Sequence, residues 1–166
     1  MSWPDGLIVR QLVATDDSDV EGALHVMVEH EREFCFEPDV TRTILIAQLT
    51  GPAALADRHL IVTRGDDYVG VLIVELDLAK RDVFFDVYAL PGEDHETTRA
   101  LVEAGLAAAA DVIPSEPGWT ISSGCVKEDI ALSRALDAVG FEHTRTYARM
   151  VRSLAGVSAT MPPAPP

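Results

Sequence analysis

The sequence DVFFDVYALPGEDHETTRALVEAGLAAAADVIPSEPGWTISSGCV, residues 82–126, decides the fold class. Its first nine residues are rich in aromatic and β-branched side chains and predict a strand that ends at Pro91-Gly92. The Ala- and Leu-rich segment from His95 or Thr97 to about residue 113 predicts a long helix, which residues 114–118 break. Residues 119–126, WTISSGCV, predict a second strand. A strand–helix–strand crossover makes its two strands parallel.

The flanking sequence supplies the remaining elements. Before residue 82 we expect a strand at residues 7–12, a helix at 20–33, a second helix from Asp39 or Thr41 to Gly51-Pro52, and a hairpin around Gly65-Asp66-Asp67. The second helix is expected to bury Ile44, Leu45 and Leu49. After residue 126, we expect a helix over IALSRALDAV that Asp129 caps and Gly140 ends as its C′ residue, followed by a closing strand, FEHTRTYARMVRSL.

Together these elements predict a mixed α/β fold. We expect a mostly antiparallel sheet with a parallel strand pair in the centre, flanked by helices. The length of 166 residues and the apolar content of 48% suit one domain, which we place at residues 1–154. Residues 155–166 are proline-rich and predict a disordered tail.

The charge balance narrows the classes of partner. The chain has 27 acidic and 13 basic residues, a net charge of -14, which disfavours nucleic acid and anionic membranes and suits amines or basic peptides. Two cysteines, Cys35 and Cys125, are too few for a disulfide framework or a zinc cluster, and the five histidines show no metal-ligand spacing. No signal peptide or membrane-spanning stretch is visible, so a cytoplasmic protein is expected. Few of the basic residues are lysine, and because arginine codons are GC-rich, this bias suggests a GC-rich bacterial genome.

Several features occur in a characteristic order. Gly70 opens the second hairpin strand, the strand of residues 82–90 precedes the long helix, and the late helix runs into Gly140-Phe141, with Tyr147 and Met150 behind it. In this order they resemble the GNAT superfamily of N-acetyltransferases over most of residues 7–154. The resemblance implies acetyl transfer from acetyl-CoA to an amine, with a base for the ammonium and a donor for the departing thiolate. Exposed edge strands are compatible with a homodimer.

The loop that holds the cofactor pyrophosphate in this family is different here. Gly92 is the only glycine in it. Glu93, Asp94 and Glu96 either cap the long helix or repel the anionic cofactor, so acetyl-CoA binding is an open question. The late helix carries Leu136 where many members have the general-acid tyrosine. The alternative to an acyltransferase is therefore a GNAT-like binding or assembly module without acetyl-CoA binding, and other thioester chemistry, such as decarboxylation, is a third interpretation.

Three residues are candidates for proton transfer. Asp86 lies mid-strand among apolar residues, which would raise the pKa of its carboxyl, unless the side chain faces solvent. Glu75 shares one strand face with Asp77, and the two acids either bind an ammonium together or mark where that face reaches solvent. Tyr147 is the remaining proton-donor candidate, or a core or interface tyrosine. The resemblance places cofactor contacts at Val87, Tyr88, Ala89, Gly92, Thr97 and Thr98.

Two further patterns are interpreted as structural. The segment His30-Glu31-Arg32-Glu33-Phe34 lacks the second histidine of a zinc-protease helix and is expected to be a solvated helix face. Cys125 lies in a predicted strand and is expected to be buried and inert.

Overall fold

The computed structural model describes residues 3–34, 37–93 and 95–147. Its elements, in chain order, are β1 (Leu7–Gln11), α1 (Asp17–Phe34), α2 (Arg42–Thr50), β2 (Leu60–Arg64), β3 (Asp67–Asp77), β4 (Asp82–Ala89), α3 (His95–Val112), β5 (Thr120–Ser123) and α4 (Ile130–Ala138). The order predicted from the sequence is confirmed as far as α4.

The five strands form one sheet in the order β1-β2-β3-β4-β5. The first three neighbouring pairs are antiparallel. β4 and β5 pair in parallel, from Asp82 opposite Thr120 to Phe85 opposite Ser123, because the chain crosses over through α3 between them. The mixed α/β fold with its parallel pair is confirmed, and β5 is the last strand in the described part of the sheet.

Helices cover both faces of the sheet. The sheet therefore separates two core clusters, one on each face. Side chains alternate between the faces along a strand. Phe85 and Val87 of β4 therefore pack in one cluster with residues of α3 and α4. Tyr88 packs in the other cluster, with residues of α1 and α2. The same alternation directs Asp86 toward the α1 and α2 side.

Of the two residues predicted to start α2, Asp39 or Thr41, the structure has Thr41 as the N-cap, and the predicted N-cap of α4 is confirmed. Thr41 caps α2, and its hydroxyl accepts a 3.3 Å hydrogen bond from the N–H of Ile44. Asp129 caps α4, and its carboxylate accepts a 2.9 Å bond from the N–H of Leu132. Each cap satisfies a backbone donor that the first helical turn leaves without a partner.

The prediction that Ile44 of α2 is buried is wrong. Ile44 is 46% exposed, whereas Leu45 and Leu49 are buried. Residues four apart share one helix face, and Ile44 is turned about 100° away from Leu45. Only the narrow face of this short helix that carries Leu45 and Leu49 packs into the core cluster shared with α1.

The chain after α4 also differs from the expectation. Gly140 has φ of +91° and the N–H of Phe141 bonds to the carbonyl of Leu136, so the predicted C′ glycine is confirmed. The Phe141 ring then packs edge-on against Phe85, with centroids 5.6 Å apart. This contact holds the chain on the α3 and α4 face, and residues 141–147 form no strand. The closing strand is wrong for those residues; residues 148–154 and the predicted tail lie outside the described residues.

The contact between Gly105 of α3 and Phe85 predicts an unusual helix substitution. Alanine normally stabilises a helix interior relative to glycine by roughly 1 kcal/mol. A Cβ at position 105, however, would lie 2.6 Å from the Phe85 ring. We expect Gly105→Ala to lower the free energy of unfolding by about 1–3 kcal/mol through overpacking, measured by urea denaturation.

The double variant Gly105→Ala/Phe85→Leu is the control. Added to Phe85→Leu, the Gly105→Ala substitution should lower the free energy of unfolding less than it does in the unmodified chain. The reason is that the smaller side chain makes room for the methyl group. A stabilising effect of Gly105→Ala in the unmodified chain would contradict the close approach.

Candidate active site

The two parallel strands part directly after Phe85 and Ser123, which are the last paired residues. The next residue of β4 is Asp86, and the next residue after β5 is Gly124. A Cβ at Gly124 would lie 3.2 Å from the Asp86 Oδ1 atom, so the loop backbone passes directly over this carboxyl. We call residues 86–89 of β4, which pair with β3 but not with β5, together with the loop residues 124–129, the fork.

Asp86 lies at the base of the fork, and the pKa of its carboxyl is far from the usual value for aspartate. Burial raises the pKa of its carboxyl to about 7, and the negative charge of Glu75 adds to the effect. The side chain is only partly exposed. Among the described residues none donates a hydrogen bond or forms an ion pair with it. At neutral pH the carboxyl is therefore divided between its acid and base forms, as proton transfer requires.

Glu75 is the acidic neighbour of Asp86 across the β3–β4 ladder. Asp86 lies opposite Ile73, so Glu75 is its diagonal neighbour on the same face. Burial raises the pKa of the Glu75 carboxyl as well. The predicted partner of Glu75, Asp77, instead accepts a hydrogen bond from Lys80 in the following turn, and this lowers the pKa of Asp77. The structure thus groups Glu75 with Asp86.

His30 of α1 closes the far end of the fork. It is 5% exposed, so its assignment to a solvated face is wrong. Its Nδ1 atom lies 3.2 Å from the carbonyl oxygen of Ala89, and its Nε2 atom lies 3.5 Å from the Oδ2 atom of Asp129. Its ring packs edge-on against Tyr88, with centroids 5.4 Å apart.

The sequence contained a signal for this burial. His30 follows Ala23 and Met27 at helical spacing and continues their apolar stripe. The charged residues around it obscured that spacing. The sequence predicts its partner Asp129 as an N-cap only. In the structure, Oδ1 accepts the capping bond and Oδ2 faces His30.

Cys125 is placed differently from the expectation. It follows the end of β5 and is an exposed residue, so its prediction as a buried strand residue is wrong. Partial burial of the sulfur and the charges of Asp129 and Asp137 raise the pKa of the thiol to about 11. The thiol stays protonated at neutral pH and is a poor nucleophile.

Glu93, in the acidic loop before α3, forms an ion pair with Arg64 of β2. The Arg64 Nη2 atom lies 2.9 Å from the Glu93 Oε2 atom, and the Thr97 hydroxyl donates to the same oxygen over 3.2 Å. The Glu93 carboxylate thus interacts with a side chain of the first turn of α3. Asp94 lies outside the described residues, and Glu96 is exposed in the first turn.

The remaining candidate cofactor residues are divided between these two regions. Val87 faces the α3 and α4 cluster, so only its backbone borders the fork. Gly92 has φ of +89°, with open space where a Cβ would lie. Thr98 is buried in the first turn of α3.

Tyr147 lies apart from the fork. It is 79% exposed, and its ring is close to the Arg145 guanidinium, 6.0 Å from centroid to Cζ. It is within electrostatic range of Lys80, in the turn between β3 and β4. That turn is at the end of β4 opposite to Ala89. The structure therefore does not bring Tyr147 together with Asp86.

No cluster of three or more histidine, cysteine or acidic side chains with the geometry of a metal site occurs among residues 3–34, 37–93 and 95–147. In the same described part of the chain, no helix is long and apolar enough to cross a membrane.

Solved structures resemble this chain in fold. No protein-family model matches its sequence, and no curated protein matches it significantly. A GCN5-related N-acetyltransferase from Sphaerobacter thermophilus superposes with a TM-score of 0.71 at 17% identity, over 85% of this chain and 45% of the other. This chain thus spans less than half of that protein.

Two further structures extend the likeness. A putative acetyltransferase from Salmonella typhimurium, solved with its cofactor acetyl-CoA, has a TM-score of 0.60 at 14% identity, over 85% of this chain and 82% of the other. The ribosomal-protein-S18-alanine N-acetyltransferase from Escherichia coli has a TM-score of 0.61 at 12% identity, over 84% and 79%. The chain therefore has the fold of these N-acetyltransferase structures.

The raised pKa of Asp86 makes stability depend on pH. The folded chain keeps a proton that the unfolded chain releases between about pH 4 and pH 7, so stability falls as pH rises through this window. We expect Asp86→Asn to remove that fall and to be more stable at pH 8, by at most about 4 kcal/mol. Urea denaturation between pH 4.5 and 8 measures it.

Asp77→Asn is the matched control with the opposite sign. The pKa of Asp77 is lowered, so its contribution is present at neutral pH and is lost only as pH falls through its folded pKa. Asp77→Asn should leave the slope between pH 5 and 7 unchanged. An unchanged slope in Asp86→Asn as well would contradict the raised pKa.

Proposed function

We propose that this chain is an acyl-CoA-dependent N-acyltransferase that transfers an acetyl group to a small or cationic amine. The observation that carries the proposal is Asp86, a carboxyl with a pKa of about 7 where β4 and β5 part. The fold of known N-acetyltransferases, one of them solved with acetyl-CoA, supports it.

Asp86 would act as the general base. An amine acceptor is an ammonium ion at neutral pH and must lose a proton before its nitrogen can attack. A carboxylate whose pKa is near the working pH is suited to accept that proton, directly or through one water. Glu75, on the same sheet face, adds negative charge that attracts the ammonium.

The fork and the start of α3 fit the two ends of the cofactor. Because the ladder with β5 ends at Phe85, the backbone of Val87, Tyr88 and Ala89 borders a strand edge that would hold the thioester arm. Gly92, Thr97 and Thr98 would lie at the nucleotide end, where Arg64 offsets the charge of Glu93. When bound, acetyl-CoA supplies the acyl group as a thioester.

The acceptor class follows from charge. The chain has a net charge of -14, and the proposed base lies beside a second carboxyl. Both favour a cationic small-molecule amine or a basic peptide over an anionic acceptor. One structural neighbour is named for a protein alanine, which is an amine of this wider class. The cytoplasmic location and the homodimer stay predictions.

Substitution of the proposed base tests the mechanism. Asp86→Asn should lower kcat/KM by about 10²–10⁴-fold, since the amide cannot accept the proton. The unmodified chain should lose activity as pH falls below about 7, where Asp86 becomes protonated, and the variant should lack this limb. Assays with a panel of polyamines, aminoglycosides and basic peptides across pH 5.5–9 measure both effects.

Binding must be preserved for this result to be informative. Isothermal titration should give the same CoA affinity for Asp86→Asn as for the unmodified chain, and Asp77→Asn should retain full activity. An Asp86→Asn variant with undiminished kcat/KM would rule out the assigned base.

The loop before α3 provides a separate test of the cofactor position. If the nucleotide phosphates bind near Glu93, then Glu93→Gln removes a repulsive charge and should tighten CoA binding by roughly 3–10-fold at low salt. Glu103→Gln, whose carboxyl pairs with Arg99 on the same helix, is the matched control. Titration calorimetry at two salt concentrations measures the difference.

A second candidate function has one observation in its favour. The carboxylate of Glu93 already interacts with the start of α3, where the cofactor pyrophosphate would be held. A GNAT-like binding or assembly module without acetyl-CoA would not need that place vacant. Absence of heat with acetyl-CoA at millimolar concentration, for both the unmodified chain and Glu93→Gln, would favour this alternative.

A further inference from the structure

The ladder between β2 and β3 reaches only part of β3. Its last pair is Leu60 opposite Leu72, so residues 73–77 of β3 have no partner in β2. Residues 53–55 occupy part of the side that β2 leaves open, with two backbone hydrogen bonds to β3 of 3.0 and 2.8 Å and one isolated antiparallel bridge. The side chain of His59, the residue before β2, occupies another part.

The His59 ring takes the place of a strand at one buried donor. Its Nδ1 atom accepts a 3.1 Å hydrogen bond from the N–H of Val74, and this bond is buried. A neighbouring strand would offer a backbone carbonyl to such an N–H. Because a buried N–H without an acceptor is costly, the ring helps to keep this part of β3 in its place.

The ring is neutral in this arrangement. An imidazole nitrogen that accepts a hydrogen bond carries no proton, so the single ring proton is on Nε2. His59 is 1% exposed. The backbone of Leu49 is near the ring, but none of the described residues is placed to hydrogen-bond Nε2. A second proton would break the bond to Val74 and place a positive charge in the core.

The residue that follows Val74 is Glu75, the diagonal neighbour of Asp86 across the β3–β4 ladder. We propose that His59 is a positioning residue for the candidate site: its ring holds the part of β3 that carries Glu75 and so keeps Glu75 beside Asp86. The effect on catalysis rests on the proposed acyltransferase function, whereas the geometric role does not. His59 acts through the backbone of β3.

This role has a limit at acid pH. Burial lowers the pKa of His59, and the backbone of Leu49 and the charge of Asp57 oppose that effect only in part. Among the described residues, Asp57 supplies the charge that acts on the ring, while α2 and β3 face it with the backbone groups of Leu49 and Val74. The unfolded chain therefore takes up this proton at a higher pH than the folded chain does. The contribution of His59 to stability falls as pH falls below about 6.5, and the bond to Val74 is lost below the folded pKa.

Two substitutions separate the hydrogen bond from the volume of the ring. His59→Asn keeps an acceptor near the position of Nδ1 and cannot take up a proton. His59→Leu keeps an apolar side chain without an acceptor. His25→Asn, which changes an exposed histidine of α1, is the matched control, and thermal denaturation checks that each variant folds.

The main readout is the electrostatic coupling between the two carboxyls, followed through the ¹³C carboxyl resonance of Asp86 in a pH titration. In the unmodified chain, Glu75→Gln should lower the pKa of Asp86, because it removes a neighbouring negative charge. The same substitution should have a similar effect in His59→Asn and in His25→Asn. In His59→Leu the effect should be less than about half as large, because Glu75 is no longer held in place. A general loss of stability would not change this difference.

The unmodified chain offers a measurement that needs no variant. At about pH 8, imidazole ¹⁵N spectra should show Nδ1 of His59 without a proton and Nε2 with one. A ¹⁵N–¹⁵N coupling across the hydrogen bond should join Nδ1 to the amide nitrogen of Val74. As His59 takes up its second proton, this coupling should vanish and the carboxyl resonance of Glu75 should shift with it.

Activity gives a further readout if the proposed function holds. In His59→Leu the acid limb of kcat should move to lower pH, because the pKa of Asp86 falls when Glu75 moves away. In His59→Asn the limb should stay where it is in the unmodified chain. CoA affinity should stay within about 3-fold in both variants, since the role assigned to His59 does not involve the cofactor.

Each outcome decides one question. A proton on Nδ1 of His59 at neutral pH, or an equal effect of Glu75→Gln in His59→Leu and in the unmodified chain, would overturn the positioning role. If His59→Leu does not fold, the acid titration decides instead, and loss of the Val74 coupling without a shift of Glu75 would overturn it. If CoA does not bind the unmodified chain, or if Asp86→Asn is fully active, the proposed function fails while the carboxyl coupling still tests His59.

Discussion

The ladder between β4 and β5 ends early, and the candidate site depends on where it ends. At the start of the two strands, the hydroxyls of Thr120 and Ser122 of β5 donate hydrogen bonds to the carboxylate of Asp82 of β4. The strands part at the other end because β5 stops at Ser123 and the chain turns away at Gly124. Each backbone group beyond that point must find another partner or water. The carbonyl of Ala89 interacts with His30 of α1, and this contact brings a helix from the far N-terminal part of the chain to the site.

Hydrogen-bond partners decide what burial does to each carboxyl. Burial alone would raise the pKa of Asp19, but the Arg10 guanidinium and the N–H of Val13 bond to its carboxylate and lower the pKa instead. Asp86 has no such donor among the described residues, and a second acid, Glu75, lies beside it. Both groups are aspartate carboxyls, but the pKa of Asp19 is lowered and the pKa of Asp86 is raised. Hydrogen-bond donors stabilise the charged form of Asp19, a structural carboxylate, whereas among the described residues no donor stabilises the charged form of Asp86, the candidate base.

The fold was accessible from the sequence wherever the signal is local. The caps at Thr41 and Asp129 and the glycine at position 140 depend on atoms a few residues apart, so spacing alone predicts them. The mistakes arise where packing decides. Ile44 is apolar but exposed, because α2 is covered along a narrow face only. Phe141 packs on Phe85, and residues 141–147 form no strand.

The sequence by itself determined the strand–helix–strand unit, the acidic balance and the mid-strand position of Asp86. These follow from composition and periodicity, which the chain carries in any conformation. Only the tertiary structure decided that Glu75 pairs with Asp86 rather than with Asp77, that Glu93 interacts with Arg64, and that His30 meets Asp129. The last two contacts join elements far apart in the chain, and the first depends on the register between β3 and β4. The acidity of a group depends on the charges and donors that folding places around it, and no local pattern records them.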